Sequence, residues 1–137
     1  MTTARDIMTP EPVCAGENET LVEVAKKLRD ENVGALPICG EDNRLKGMVT
    51  DRDIVVGCLA RDGDPSSTRA GELGDGKPVT IGADDSIEEA LATMAQHQVR
   101  RLPVIDGHDL VGMVSLADIA RSLPEDKVGS VVEAISS

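Results

Sequence analysis

The chain contains no phenylalanine, tyrosine or tryptophan in its 137 residues. Its core must therefore be aliphatic, built from Val, Ile, Leu, Met and Ala, and there is no aromatic platform on which single-stranded bases could stack. Positive charge is also scarce. Fourteen Lys and Arg face 25 Asp and Glu, for a formal charge of −11. Neutralising a phosphate backbone needs the opposite balance, which argues against nucleic acid as a partner, and anionic membranes are disfavoured on the same ground. No apolar run approaches the roughly 18 residues of a membrane-spanning helix. The opening "MTTARDIMTP" has no hydrophobic segment and shows no conventional signal peptide, so a cytoplasmic protein is expected. The three cysteines, Cys14, Cys39 and Cys58, lack C-x-x-C spacing, and His97 and His108 are not spaced as a helical metal pair. Neither a secreted disulfide framework nor a zinc motif is signalled, and no metal is expected. Glycine-rich phosphate loops and a Ser-His-Asp order are missing too, so an enzyme is not expected.

What the chain does have is an internal duplication. "VGALPICGEDNRLKGMVTDRDIV" from Val33 and "VRRLPVIDGHDLVGMVSLADIA" from Val99 share one pattern. The likeness extends upstream at an offset of 66, where Glu19–Val33 lies over Asp85–Val99 and Pro37 falls on Pro103. One residue is lost in the turn, after which Gly47 meets Gly112, Thr50 meets Ser115 and Asp53 meets Asp118. Each copy is small to be stable alone, whereas two packed face to face could share one core.

The copies read alike locally. "PVCA" and "PVTIG" predict short strands after a proline. Thr20-x-x-Glu23 and Ser86-x-x-Glu89 fit helix-start capping boxes. Leu21, Val24, Ala25 and Leu28 line one face of the helix that follows, and Ile87, Ala90, Leu91 and Met94 line its counterpart. "ALPIC" with "LKGMVT", and "RLPVI" with "LVGMVS", predict hairpins, followed by second helices from Asp51 and Leu116. The organisation is thus β-α-β-β-α twice. Residues 1–62 form the first repeat, 63–78 a Gly-, Ser- and Asp-rich linker, 79–123 the second repeat, and 124–137 a tail with helical pattern weakened by Gly129. "STRAGEL" within the linker predicts a helical turn that mirrors "TARDIM" at the start. Ile54, Val55, Leu59, Ile119 and Leu123 are spare apolar helix residues, the kind of patch that marks an interface.

The repeated hydroxyl-x-x-Asp has two compatible readings. Thr50 and Ser115 can be helix N-caps with Asp53 and Asp118 at the third helical position. The same groups can face a cleft, where a carboxylate accepts charge-assisted hydrogen bonds from a vicinal diol.

The duplicated unit, with "LPI" or "LPV" followed by "GMVT" or "GMVS" and an Asp three residues on, resembles the cystathionine β-synthase (CBS) domain. Two tandem copies are a Bateman module. The resemblance runs from about Thr3 to Leu123. It implies a mixed α/β (α+β) fold with pseudo-twofold symmetry, the sheets packed together and the helices outside. It also implies adenine nucleotide binding (AMP, ATP or S-adenosylmethionine) in clefts between the repeats, with no cofactor required. By that resemblance Thr50, Asp53, Ser115 and Asp118 reach the ligand, and adenine lies against the first strands, at Val13 and Cys14 and at Thr80. Arg52, Arg100 and Arg101 are candidates for a phosphate. Because Gly34 and Ala35 replace the Arg100–Arg101 pair in the first repeat, the two sites cannot be equivalent. Surface ion pairing is the competing use of those arginines. The family further implies a homodimer formed through helices.

Cys14 and Cys39 fall on the first two strands of repeat one, which a β-α-β unit makes neighbours. They are candidates for a disulfide, or for two buried reduced thiols. Thr80 and Ile105 at the matching places mean that the fold itself needs no bridge. Cys58 reads as a helix residue facing core or partner. Two functions follow. One is a stand-alone regulatory module that senses a small ligand and signals through conformation or assembly, to a protein partner the sequence does not name. The alternative is a dimeric interaction protein of a stress- or dormancy-related kind that binds no ligand, stapled by Cys14–Cys39.

Overall fold

The computed structural model describes residues 2–74, 78–123 and 129. In chain order the elements are α1 (Ala4–Ile7), β1 (Thr9–Pro10), β2 (Ala15–Gly16), α2 (Leu21–Glu31), β3 (Ala35–Cys39), β4 (Leu45–Thr50) and α3 (Asp51–Gly57). A 3-10 turn (Leu59–Arg61) and α4 (Ala70–Leu73) follow. The second copy supplies β5 (Ile81–Gly82), α5 (Ile87–His97), β6 (Arg101–Asp106), β7 (Asp109–Ser115) and α6 (Leu116–Ala120). The tail expected to be helical lies, Gly129 apart, outside the described residues.

Contacts divide the chain into two units, one Val13–Pro78 and the other Met1–Pro12 together with Val79–Ser137. The short helical segments are therefore exchanged. α4 precedes the second repeat but packs in the unit of the first, and α1 precedes the first but packs in the unit of the second. The docking bonds repeat at the same offset as the sequence. Ala70 N donates to Glu19 O (2.8 Å) and Gly71 N to Glu17 O (2.9 Å), while Ala4 N donates to Asp85 O and Arg5 N to Ala83 O, both at 2.9 Å. Ala4 and Ala70 are fully buried, so both contacts require a side chain no larger than a methyl group.

The glycine shared by the two motifs follows from this docking. A Cβ on Gly47 would stand 2.6 Å from Gly74 O at the end of α4, and one on Gly112 would stand 2.9 Å from Thr9 O and also strike Met8. Both distances are below van der Waals contact, so only glycine lets the helical turn approach the strand.

Within Val13–Pro78 the sheet order is β2-β3-β4, with β2 parallel to β3 and β3 antiparallel to β4. In the other unit β5 pairs parallel with β6, and β6 antiparallel with β7. The expectation of two three-stranded sheets is corrected here, because β1 adds antiparallel to β7 and gives the order β1-β7-β6-β5. The first strands are also shorter than "PVCA" and "PVTIG" suggested. Val13, Cys14, Val79 and Thr80 precede the paired residues, consistent with edge strands entered from a proline that cannot donate to the ladder.

Helix starts follow their signals. Thr20 accepts from Glu23 N (3.3 Å) while Thr20 N donates to Glu23 (3.1 Å), closing the full box. At α5 only the Ser86 half is made, with Glu89 N donating at 3.2 Å. Both helices end on a left-handed residue that is not glycine, Asn32 (φ 55°) and Gln98 (φ 55°).

Each unit has its own aliphatic core. Leu21, Val24, Leu36, Ile38, Val49 and Ile54 form one, and Ile81, Met94, Leu102, Val104, Val114 and Ile119 form the other. Ile54 and Ile119 are thus buried, which removes them from the apolar surface expected of the helices. They are the inward residues of α3 and α6, one position after each motif Asp.

Candidate functional site

The two motifs are built in the same way. β3 and β4 pair so that Ala35 lies opposite Thr50, and β6 and β7 so that Arg101 lies opposite Ser115. Each strand end then turns directly into a helix. Asp51 N donates to Gly34 O (3.0 Å) in one copy and Leu116 N to Arg100 O (2.8 Å) in the other. The start of one strand and the start of one helix thus meet at a notch in each unit.

Both motifs are full capping boxes. Asp53 N donates to Thr50 Oγ1 (3.0 Å), and Thr50 N donates to Asp53 Oδ2 (2.9 Å). Asp118 N donates to Ser115 Oγ (3.1 Å), and Ser115 N donates to Asp118 Oδ2 (2.9 Å). All four residues are half-buried. One oxygen of each carboxylate is committed to its own backbone, which leaves Oδ1 as the atom able to meet anything else. In repeat two, Oδ1 accepts from Arg121.

The notches differ in charge. In repeat two a cleft of about 390 Å³ is lined by Arg100, Arg101, Ser115, Leu116, Ala117 and Ala120. Both arginines are exposed, and Arg101 makes no ion pair among the described residues. In repeat one the strand begins with Gly34 and Ala35, and the helix begins with Asp51. A Cβ on Gly34 would stand 3.5 Å from Asp51 Oδ2, so an acid occupies the ground beside that strand. Arg52, on the first turn of α3, is exposed, and its backbone N donates to Asp51 Oδ1 (2.8 Å).

The remaining candidates lie around the short first strands. Val13 is exposed, Cys14 half-buried and Thr80 exposed. Cys14 and Cys39 are joined in a disulfide with Cα atoms 5.8 Å apart, next to the pairing of Ala15 with Ile38. Together they line a second cavity, of about 540 Å³, with Glu17, Glu19, Glu23, Glu41 and Lys27. Lys27 Nζ donates to Glu19 Oε1 (2.6 Å) and to Cys14 O (2.8 Å), and Gly16 N also donates to Glu19 Oε1 (2.6 Å). Burial pushes the Glu19 carboxyl up, but the hydrogen bonds from Lys27 and Gly16 outweigh it and hold it below the usual glutamate range. Cys58 is buried at the end of α3, its Sγ 3.8 Å from Thr68 Oγ1. The sequence reading did not find the acidic cavity, although Glu17, Glu19 and Glu23 fall close together where strand gives way to helix.

The CBS domain model matches residues 4–58 and 70–125, and the chain belongs to that family as a tandem pair, a regulatory module. The chain is similar to hypoxic response protein 1 of Mycobacterium tuberculosis, 53% identical over 137 residues, covering 100% of this chain and 96% of that one. Its fold matches the crystal structure of Hypoxic Response Protein I with two coordinated zinc ions at a TM-score of 0.84 and 54% identity, over 90% of this chain and 100% of that one. It also matches the CBS domain pair of protein MJ0100, in complex with 5′-methylthioadenosine and S-adenosyl-L-methionine, at a TM-score of 0.77 and 28% identity, over 89% and 95% of the two chains.

A zinc ion of the kind named for the first of these structures needs three or four convergent donors. Among the described residues of one chain no three His, Cys, Asp or Glu side chains come together in that way. Among the same residues no helix is long and apolar enough to cross a membrane.

Proposed function

We propose that this regulatory CBS pair binds an adenine nucleotide at the repeat-two notch and signals its presence through conformation or assembly. The observation that carries the reading is the cleft in which two arginines stand beside Ser115, across the strand–helix junction from a half-buried Asp118. Paired guanidinium groups can hold a phosphate through forked hydrogen bonds. Asp118 Oδ1 can accept from a ribose hydroxyl once Arg121 yields it, and Arg121 is then free to join the phosphate. Adenine, with no aromatic ring available, packs on aliphatic side chains and the backbone near Val79 and Thr80. The adenosine compounds bound by the MJ0100 pair support the ligand class. Repeat one, with Gly34 and Ala35 in place of the arginine pair and Asp51 beside them, is the weaker phosphate site and suits an uncharged or cationic adenosine compound such as S-adenosylmethionine.

Calorimetry with AMP, ATP and S-adenosylmethionine tests this. Saturable heat with AMP or ATP, lost in Arg100→Ala/Arg101→Ala, is the expected result. Heats equal to buffer dilution at millimolar ligand and with folded protein would reject it.

A second reading is a dimeric interaction protein of a stress- or dormancy-related kind, favoured by one specific observation. Val55, Val56 and Leu59 are 54%, 44% and 50% exposed on α3 and the turn after it. This apolar face offers a surface for a second copy, whether or not a nucleotide binds.

A further inference from the structure

The disulfide belongs to only one of the two repeats, and it lines an open acidic cavity. Of the two cysteines, Cys14 is half-buried and Cys39 is buried, so Cys14 is the residue that solvent reaches more readily. Four carboxylates, Glu17, Glu19, Glu23 and Glu41, line that cavity against one ammonium, Lys27. Lys27, paired with Glu19 at 2.6 Å, cancels that carboxylate alone, and Glu17, Glu23 and Glu41 are left to set the sign of the field. We propose that the Cys14–Cys39 bridge is a thiol-exchange site gated by charge, accepting cationic and neutral thiols and turning away anionic ones.

The exchange is a two-step reduction. A thiolate attacks Cys14 Sγ, the S–S bond breaks, and the electron pair leaves on Cys39 Sγ, which takes up a proton. A second thiolate attacks the external sulfur of the mixed disulfide and releases Cys14 as a thiolate, which is also protonated. Two thiols are oxidised to one external disulfide, and the bridge becomes two protein thiols. The attacking group brings a negative charge into a negative cavity. A reagent that carries its own cation cancels that charge, and one that carries a carboxylate doubles it.

The test uses three thiols of similar size on the full, air-oxidised chain: cysteamine, 2-mercaptoethanol and 3-mercaptopropionate. Rates are followed by alkylation and peptide mass at Cys14 and Cys39. Each is expressed per thiolate and divided by the rate on neutral hydroxyethyl disulfide, which removes intrinsic reactivity. The expected order is cysteamine, mercaptoethanol, mercaptopropionate, with about tenfold between the ends at 10 mM salt, where the Debye length is about 30 Å. The spread should shrink to about twofold at 1 M salt, where that length is about 3 Å. Glu17→Gln/Glu41→Gln should narrow it at low salt, since neither side chain makes a hydrogen bond or ion pair among the described residues. A flat or inverted order at low salt overturns the proposal, as does an undiminished spread in the double variant. Three reactive thiols in unfolded, unreduced wild type overturn it as well, because then there is no bridge to gate. None of these outcomes depends on whether a nucleotide binds.

Discussion

Asp118 is tied to Arg121 across one turn of α6, whereas the matching Asp53 has Val56 in the equivalent place and no cation beside it among the described residues. The two carboxylates otherwise make identical capping boxes. Thr50→Ala, Ser115→Ala, Asp53→Ala and Asp118→Ala should each destabilise by about 1 kcal/mol, the usual worth of a helix cap. Arg121→Ala should cost less than about 1 kcal/mol, because the guanidinium is 72% exposed and solvent screens the pair. Urea unfolding with an unchanged slope measures both. A loss of several kcal/mol at any one site would mean that the residue does more than cap.

Binding should separate the copies where stability does not. Asp118→Ala and Arg101→Ala are each expected to weaken AMP by roughly 10- to 100-fold, the loss of about 1.5–3 kcal/mol for a hydrogen bond to a charged group. Asp53→Ala and Arg52→Ala should leave AMP nearly unchanged if the arginine-lined notch is the phosphate site. Equal losses on both sides, measured by calorimetry, would contradict the asymmetry read from Gly34, Asp51, Arg100 and Arg101.

Much of this was legible before any coordinates, for physical reasons that differ by element. α2 and α5 announce themselves through a hydroxyl at the start and an apolar stripe, both local features. The hairpins follow from the Pro-centred apolar runs and their polar turns. The exchange of α1 and α4 between the copies could not be read, because the contacts of Ala4 with Asp85 and Ala70 with Glu19 depend on tertiary placement. The same holds for Gly47 and Gly112, whose need for a bare Cα appears only when α4 and the α1–β1 segment close on them. Ile54 and Ile119 were misjudged as surface residues because a five- or seven-residue helix is too short for periodicity to show which side is inward. The acidic cavity was missed because Glu41 reaches it from a turn far from Glu17 in sequence.

Acid should destabilise the repeat-one unit through Glu19. Its folded pKa is held below the usual glutamate value, so it contributes stability above the unfolded pKa of about 4.3 that is lost as pH falls through the lower folded value. Glu19→Gln removes the Lys27 ion pair and should flatten the acid limb of the stability profile, while lowering stability at neutral pH. An acid limb of unchanged steepness in Glu19→Gln would assign that proton uptake to other carboxylates.

Opening the bridge should lower the melting temperature. Cys14 and Cys39 are 25 residues apart in sequence, and in the chain-entropy model a loop of that size is worth roughly 3 kcal/mol. Cys14→Ser/Cys39→Ser should lose about the same amount and should no longer respond to reductant. Buried Cys58 lies outside the loop, so Cys58→Ala should keep the full response. Scanning calorimetry of the three proteins with and without a phosphine reductant decides it. An equal response in Cys14→Ser/Cys39→Ser and in wild type would show that the reductant acts elsewhere.

The apolar face on α3 predicts a homodimer. Val55, Val56 and Leu59 cannot fold inward, because Ile54 and Cys58 already fill the inward positions of that helix. Three large aliphatic side chains left in water on a chain with so strong an acidic excess form a patch whose burial is favourable at about 25 cal/mol per Å². A cavity of about 390 Å³ between Leu21, Ala25, Ile54, Leu59 and Pro65 continues the same face and can take a side chain from a second copy. Multi-angle light scattering at micromolar concentration should give twice the chain mass. Leu59→Asp and Val55→Asp place a charge in the proposed interface without touching the core, so each should give a monomer that keeps its far-ultraviolet spectrum. A wild type that is already monomeric would reject the interface. A dimer indifferent to both substitutions would move it to another face of the molecule.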